Sequence, residues 1–119
     1  MLKQILGEFL KLDGGVTAAV VAGGRDGFVI ESVVAGGDVD VEALGAMAST
    51  GMGTSEAMSD ELGKGEMSQM LIELENGPIL LSPPLSEDEL IAIVANANVN
   101  VGRIRYELKK NRDRITAAL

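Results

Sequence analysis

Hydrophobic positions recur with two different periods along the chain, and each change of period marks a new element. Leu2, Ile5, Leu6 and Phe9 stand at helical spacing and Gly14-Gly15 closes the pattern, predicting a short amphipathic helix from Leu2 to Leu12. Two β-rich apolar runs follow, Val16 to Ala22 and Phe28 to Val34, separated by Gly23-Gly24-Arg25-Asp26-Gly27. The Asp-Gly step suits the positive φ of a tight turn, so the pair reads as a hairpin. As a phosphate loop the same string fails. It lacks the Gly-x-Gly-x-x-Gly spacing and the Gly-Lys-Ser/Thr ending that set backbone amides and a lysine on phosphates.

Asp38 or Asp40 is placed to cap a long helix running to about Leu62, with Gly63 as its stop. Met67 to Glu75 alternates, with Met70, Ile72 and Leu74 on one side and Gln69, Glu73 and Glu75 mainly on the other. Asn76-Gly77 turns the chain into Ile79 to Ser82, and Pro83-Pro84 ends that strand. Leu90 to Ala95 is an unbroken apolar run, the pattern of a strand covered on both faces. After Asn98 and Asn100, which stand where a helix N-cap is needed, Val101, Ile104 and Leu108 share one side of a terminal helix. The order is helix, two strands, helix, three strands, helix. It predicts a three-layer α+β fold over residues 1–119 as a single domain. Its five-stranded, mostly antiparallel sheet has strand order 2-1-5-4-3, with the long helix on one face and the two terminal helices on the other.

The middle helix has more apolar surface than one sheet needs. At about 100° per residue, Val41, Leu44, Ala48, Met52, Ser55 and Leu62 share the sheet-facing side. Met47, Thr54 and Met58 form an adjoining stripe, with Gly51 between the two. Ala43, Ala46, Thr50 and Ala57 make a top of small side chains, and Glu42, Ser49, Glu56 and Asp60 line the solvent flank. The strand edge from Met67 to Leu74 carries no Lys or Pro to block pairing with another chain. One isologous dimer interface covers both the methionine stripe and that edge. Gly51 and Gly53 each cost the helix about 1 kcal/mol relative to Ala, which close packing explains and a kink or switch would also explain.

Composition narrows the chemistry. With no Cys and no His, the chain has no thiol nucleophile, none of the usual zinc or haem ligands and not the commonest neutral-pH base. Ser and Thr therefore lack their usual activator. Glu87, Asp88 and Glu89 lack the alternating oxygen ligands and turn glycine of a calcium loop and read as a solvated turn. No enzyme activity, metal or cofactor is expected. A net charge of −8 argues against a nucleic-acid partner. No apolar run approaches the roughly 20 residues of a membrane span, and the opening segment does not read as a signal peptide, so a cytoplasmic location without membrane insertion is expected. Arg103, Arg105, Lys109, Lys110, Arg112 and Arg114 concentrate in the last helix. The simpler reading is a solvated face with cations toward a helix C-terminus. The other is a docking patch for an acidic protein or membrane headgroups, diluted by Glu107 and Asp113.

Four segments together resemble the Roadblock/dynein light chain family. They are RDGFVIES, the small-residue helix around Ala46 to Ala57, QMLIELENGPILL and ELIAIVANANVNVGRIRYEL, and the MglB-like prokaryotic branch is the nearer one. The resemblance implies a non-catalytic homodimer whose long helices pack side by side and whose third strands pair into one sheet. It further implies a platform for a small Ras-like GTPase, as regulator or scaffold. Carried onto this chain, the dimer positions are Met47, Gly51, Thr54, Met58, Met70 and Ile72. The GTPase platform is Ala46, Thr50, Gly53 and Ala57, rimmed by Glu42, Glu56 and Asp60. The alternatives are an architectural subunit of a motor-like or signalling assembly, and a small-ligand sensor using a cleft near Asn98 and Asn100.

Overall fold

The computed structural model describes residues 1–86 and 88–119. Its elements are α1 (Leu2–Leu12), β1 (Val16–Gly23), β2 (Val29–Val34), α2 (Val41–Leu62), β3 (Met70–Ile72), β4 (Ile79–Ser82), β5 (Glu89–Ala95), α3 (Val101–Lys110) and α4 (Arg112–Ala117). The five strands form one sheet in the order β2-β1-β5-β4-β3, every neighbouring pair antiparallel.

The apolar run of β5 explains its central place, since only a strand with helices over both faces hides every side chain. Ile91 and Ile93 point into a core shared with Val16, Ala19, Val21 and Leu80, and α1, α3 and α4 close it with Leu6, Phe9, Ile104, Leu108 and Ile115. Leu90 and Ala92 face the opposite way with Val20, Ala22 and Leu81, under Leu44, Ala48 and Met52 of α2. Full burial of each large aliphatic side chain contributes about 1.5–3 kcal/mol. Two such layers on one sheet hold the three strata together.

The caps follow the sequence. Asp40, not Asp38, caps α2, its Oδ1 accepting the Ala43 N–H at 3.0 Å. Gly63 ends the helix at φ 64°, its N–H reaching the Ser59 carbonyl at 2.7 Å. Asn100 caps α3 through the Arg103 N–H at 3.1 Å, whereas Asn98 sits in the preceding turn with its N–H on Asn96 Oδ1.

Several boundaries differ from the pattern. β3 spans only Met70–Ile72, the residues that pair with β4. Met67 tucks toward α2 instead, and Leu74 already accepts from Gly77 in the turn. The terminal helix is two helices. Asn111 breaks it by turning its side-chain amide onto the Glu107 carbonyl at 2.8 Å and carboxylate at 3.1 Å, a local bond that competes with helix continuation. Leu62 does not reach the sheet: it is 62% exposed, because the last turns of α2 run past the covered strands. Ser49 leaves the solvent flank by donating its hydroxyl to the Gly24 carbonyl at 2.7 Å.

Candidate functional site

Of the 22 residues of α2, only Leu44, Gly45, Ala48 and Met52 are buried. The helix thus keeps most of its circumference open, and what it presents is not ordinary solvent-facing chemistry. Met47 is 65% exposed and Met58 58% exposed on one flank. Between and beside them, Thr54 donates its hydroxyl to the Thr50 carbonyl at 3.0 Å and Thr50 donates to the Ala46 carbonyl at 3.1 Å. Both hydroxyls are consumed inside the helix, so the exposed strip offers few free polar groups.

Gly51 and Met70 lie lower than the other proposed contact residues. A Cβ at Gly51 would stand 3.3 Å from Leu81 Cδ1 and 3.8 Å from Met70 Sδ. The glycine therefore lets α2 settle close over β3 and β4, and Met70 belongs partly to the core beneath it. Ile72, Leu71 and Leu74 remain exposed along β3 and its exit, and among the described residues no strand pairs with the outer side of β3. The methionine flank and the open edge are thereby neighbours.

Ala46, Thr50, Gly53 and Ala57 are all exposed, and a Cβ at Gly53 would meet only open space. Glu42, Glu56 and Asp60 are exposed alongside them. Among the described residues, Arg114–Glu8 is the salt bridge found, so none of these three is paired.

One contact was invisible to helical spacing alone. The hairpin loop folds against α2: a Cβ at Gly45 would fall 2.5 Å from the Gly27 carbonyl oxygen, and Gly27 holds φ 73°. Gly24 joins the same junction, its N–H on the Asp88 carbonyl at 2.7 Å. Phe28 follows, held by its N–H on Asp26 Oδ1 at 2.9 Å while its ring is 75% exposed. A third glycine in one helix was the available signal, since helix interiors disfavour it.

The other candidates disperse. Asn98 and Asn100 lie outside the cleft of this fold that measures about 880 Å³. That cleft lies between the C-terminal half of α2 and the loop after β4, lined by Met52, Glu56, Asp60, Met67, Pro84 and Arg112. Glu87 lies outside the described residues. Glu89 accepts the Ser86 hydroxyl, and among the described residues no cluster of carboxylates is set to hold a metal ion. Among the described residues, no helix is long and apolar enough to cross a membrane. Perturbed acids sit away from α2. Asp13 is held below the usual carboxylate range by the Gly15 and Asn100 N–H groups, and Glu8 by its hydrogen bond from Arg114.

Together these features describe a three-layer α+β protein with an open helix flank beside an unpaired strand edge. The Roadblock/LC7 domain model matches residues 2–95, and the chain belongs to that family. An uncharacterized protein of Methanocaldococcus jannaschii is 37% identical over 117 residues, covering 98% of both chains. The fold matches that of the gliding protein MglB from Thermus thermophilus, with a TM-score of 0.86 at 17% identity over 98% of this chain and 86% of that one. A Roadblock/LC7 domain from Streptomyces avermitilis matches with a TM-score of 0.86 at 19% identity, over 98% and 95%.

Proposed function

We propose that the chain is a non-catalytic homodimeric adaptor that holds a small Ras-like GTPase across its paired α2 helices. The observation that carries the reading is the juxtaposition of exposed Met47 and Met58 with the unpaired β3 edge. A two-fold pairing of β3 with its copy extends the sheet and brings Met47, Thr54, Met58 and Ile72 of each protomer together. Gly51 and Met70 act from below, setting the height of α2 over β3 and β4. Family membership supports the same arrangement.

In that dimer Ala46, Thr50, Gly53 and Ala57 of both protomers form a shallow floor beside the two-fold axis, rimmed by Glu42, Glu56 and Asp60. Small side chains let a partner's switch region approach the helix backbone, and the acidic rim speeds encounter with basic residues at low salt. A platform straddling the axis takes one partner per dimer. No cofactor is required, and the location is cytoplasmic.

The test is a pull-down with a small GTPase loaded with GTP or GDP, using wild type and Thr50→Arg with Ala57→Arg. Wild type should retain the GTP-loaded form, while the double variant stays dimeric by light scattering and loses it. Undiminished binding by the dimeric variant refutes the platform. Retention indifferent to nucleotide would favour an architectural subunit.

A further inference from the structure

Charge is divided between the two faces of the sheet, and the division is sharper than the sequence suggests. Every lysine and arginine except Arg25 and Lys64 lies on α1, α3 or α4, the helices of one layer. The opposite layer, α2, carries Glu42, Glu56, Asp60 and Glu61 and no cation. The carboxylates that dilute the basic layer on paper do so little in space. Glu8 is taken by Arg114, with contacts of 3.0 and 2.9 Å, and Glu107 is turned to the Asn111 amide. Asp113, exposed on α4, still dilutes the layer there. Asp13 lies near Arg103, but its oxygens are occupied by the Gly15 and Asn100 N–H groups.

The outward arc of α3 is what remains. Ile104 and Leu108 are spent in the core, which leaves Arg103, Arg105, Tyr106, Lys109 and Lys110 exposed without a carboxylate among them. Arg105 is locked by a reciprocal pair with Gln69, donating from Nε to Oε1 at 3.0 Å and accepting on its carbonyl at 3.1 Å. Among the described residues, the side chains of Arg103, Lys109 and Lys110 make no ion pair. The hollow between α1 and α3 on this face is only about 70 Å³, too small to seat a peptide segment.

We propose that the α1–α3–α4 layer docks on an anionic lipid surface through Arg103, Lys109 and Lys110, with Tyr106 at headgroup depth. A broad basic face whose Arg103, Lys109 and Lys110 stand exposed and outside any ion pair fits a planar array of phosphates better than a shaped protein partner. Mobile Lys and Arg near such a surface each add to attraction, and an exposed tyrosine suits the interface between headgroups and water. Because the apolar stripe of α3 is buried in the core, the contact is peripheral. The acidic remainder of the chain is repelled by the same surface, which fixes the orientation with α2 facing away. The proposal stands whether or not α2 holds a GTPase.

The test is flotation of the full chain with vesicles of phosphatidylcholine alone or mixed with phosphatidylglycerol, at low and high salt. Wild type should bind only the mixed vesicles, and less as salt shortens the screening length. Arg103→Gln with Lys109→Gln and Lys110→Gln should weaken binding about tenfold or more. Its thermal melt should match wild type, and Glu42→Gln with Glu56→Gln should bind no worse than wild type. Equal binding by wild type and the α3 variant overturns the proposal, as does indifference of wild type to phosphatidylglycerol. Retention on immobilised polyglutamate without vesicle binding overturns it in favour of an acidic polypeptide.

Discussion

Three glycines in α2 should respond to the same substitution with different signs. In an exposed helix interior, Gly→Ala gains up to about 1 kcal/mol from helix propensity. At Gly53 the new methyl meets open space, so Gly53→Ala should gain nearly all of that. At Gly51 it meets Leu81 Cδ1 at 3.3 Å, the end of a side chain able to shift by tenths of an ångström, and the two effects should nearly cancel. At Gly45 it meets the backbone oxygen of Gly27 at 2.5 Å, with Val29 Cγ2 at 3.3 Å and Ala22 Cβ at 3.5 Å behind. The loop cannot retreat without loosening the bonds from Ser49 to Gly24 and from Gly24 to Asp88. Overpacking of this kind costs about 1–3 kcal/mol against a gain of about 1 kcal/mol, so Gly45→Ala should be destabilised by up to about 2 kcal/mol net. For a chain of this length that is a fall of up to about 8 °C in Tm, against a rise of about 4 °C for Gly53→Ala. Denaturant melts at one fixed protomer concentration measure all three, because dimer stability depends on concentration. If Gly45→Ala stabilises as much as Gly53→Ala, the hairpin loop does not press on α2.

Met47→Glu with Met58→Glu should turn a dimer into a monomer or insoluble protein, since the interface would bury charge without a partner; light scattering on wild type giving a 12.4 kDa particle would refute the dimer first. Asp40→Ala removes the α2 cap and should cost about 1 kcal/mol in a urea melt. Glu8 and Asp13 both have lowered pKa values in the fold, so each contributes stability above its unfolded pKa and loses it as pH falls through the folded value. Stability should therefore decline below about pH 4, and Glu8→Gln should make that decline shallower.

Where a pattern reports its own neighbours, the sequence sufficed. The period of α1, the capping residues of α2 and the apolar run of β5 each imply what must lie around them, and from these the layering follows. The exposed stripe of Met47 and Met58 was equally legible, because helical spacing alone separates it from Leu44, Ala48 and Met52. Alternation from Met67 to Glu75 misled, because a side-chain pattern persists where the backbone has lost its ladder. Asn111 carried no warning, being a helix interruption only through its bond to Glu107. The pressing of Gly27 on Gly45 and the clamp between Gln69 and Arg105 join residues distant in sequence that no local period relates.

The register between β1 and β5 has a consequence for how the chain acquires its shape. Val16 faces Ala95 and Gly23 faces Glu89, so the middle of the sheet joins segments far apart along the chain. The early hairpin of β1 and β2 closes locally, but one flank of β1 stays unsatisfied until β5 has been made. Loop-closure entropy must be met before that long-range pairing returns any energy, which places the rate-limiting event late. A chain halted before residue 89 leaves β1 as a bare, aliphatic edge, the form most prone to stick to its own kind. Assembly of the centre is thus all-or-none, and β5 is the strand on which the earlier strands of the domain depend.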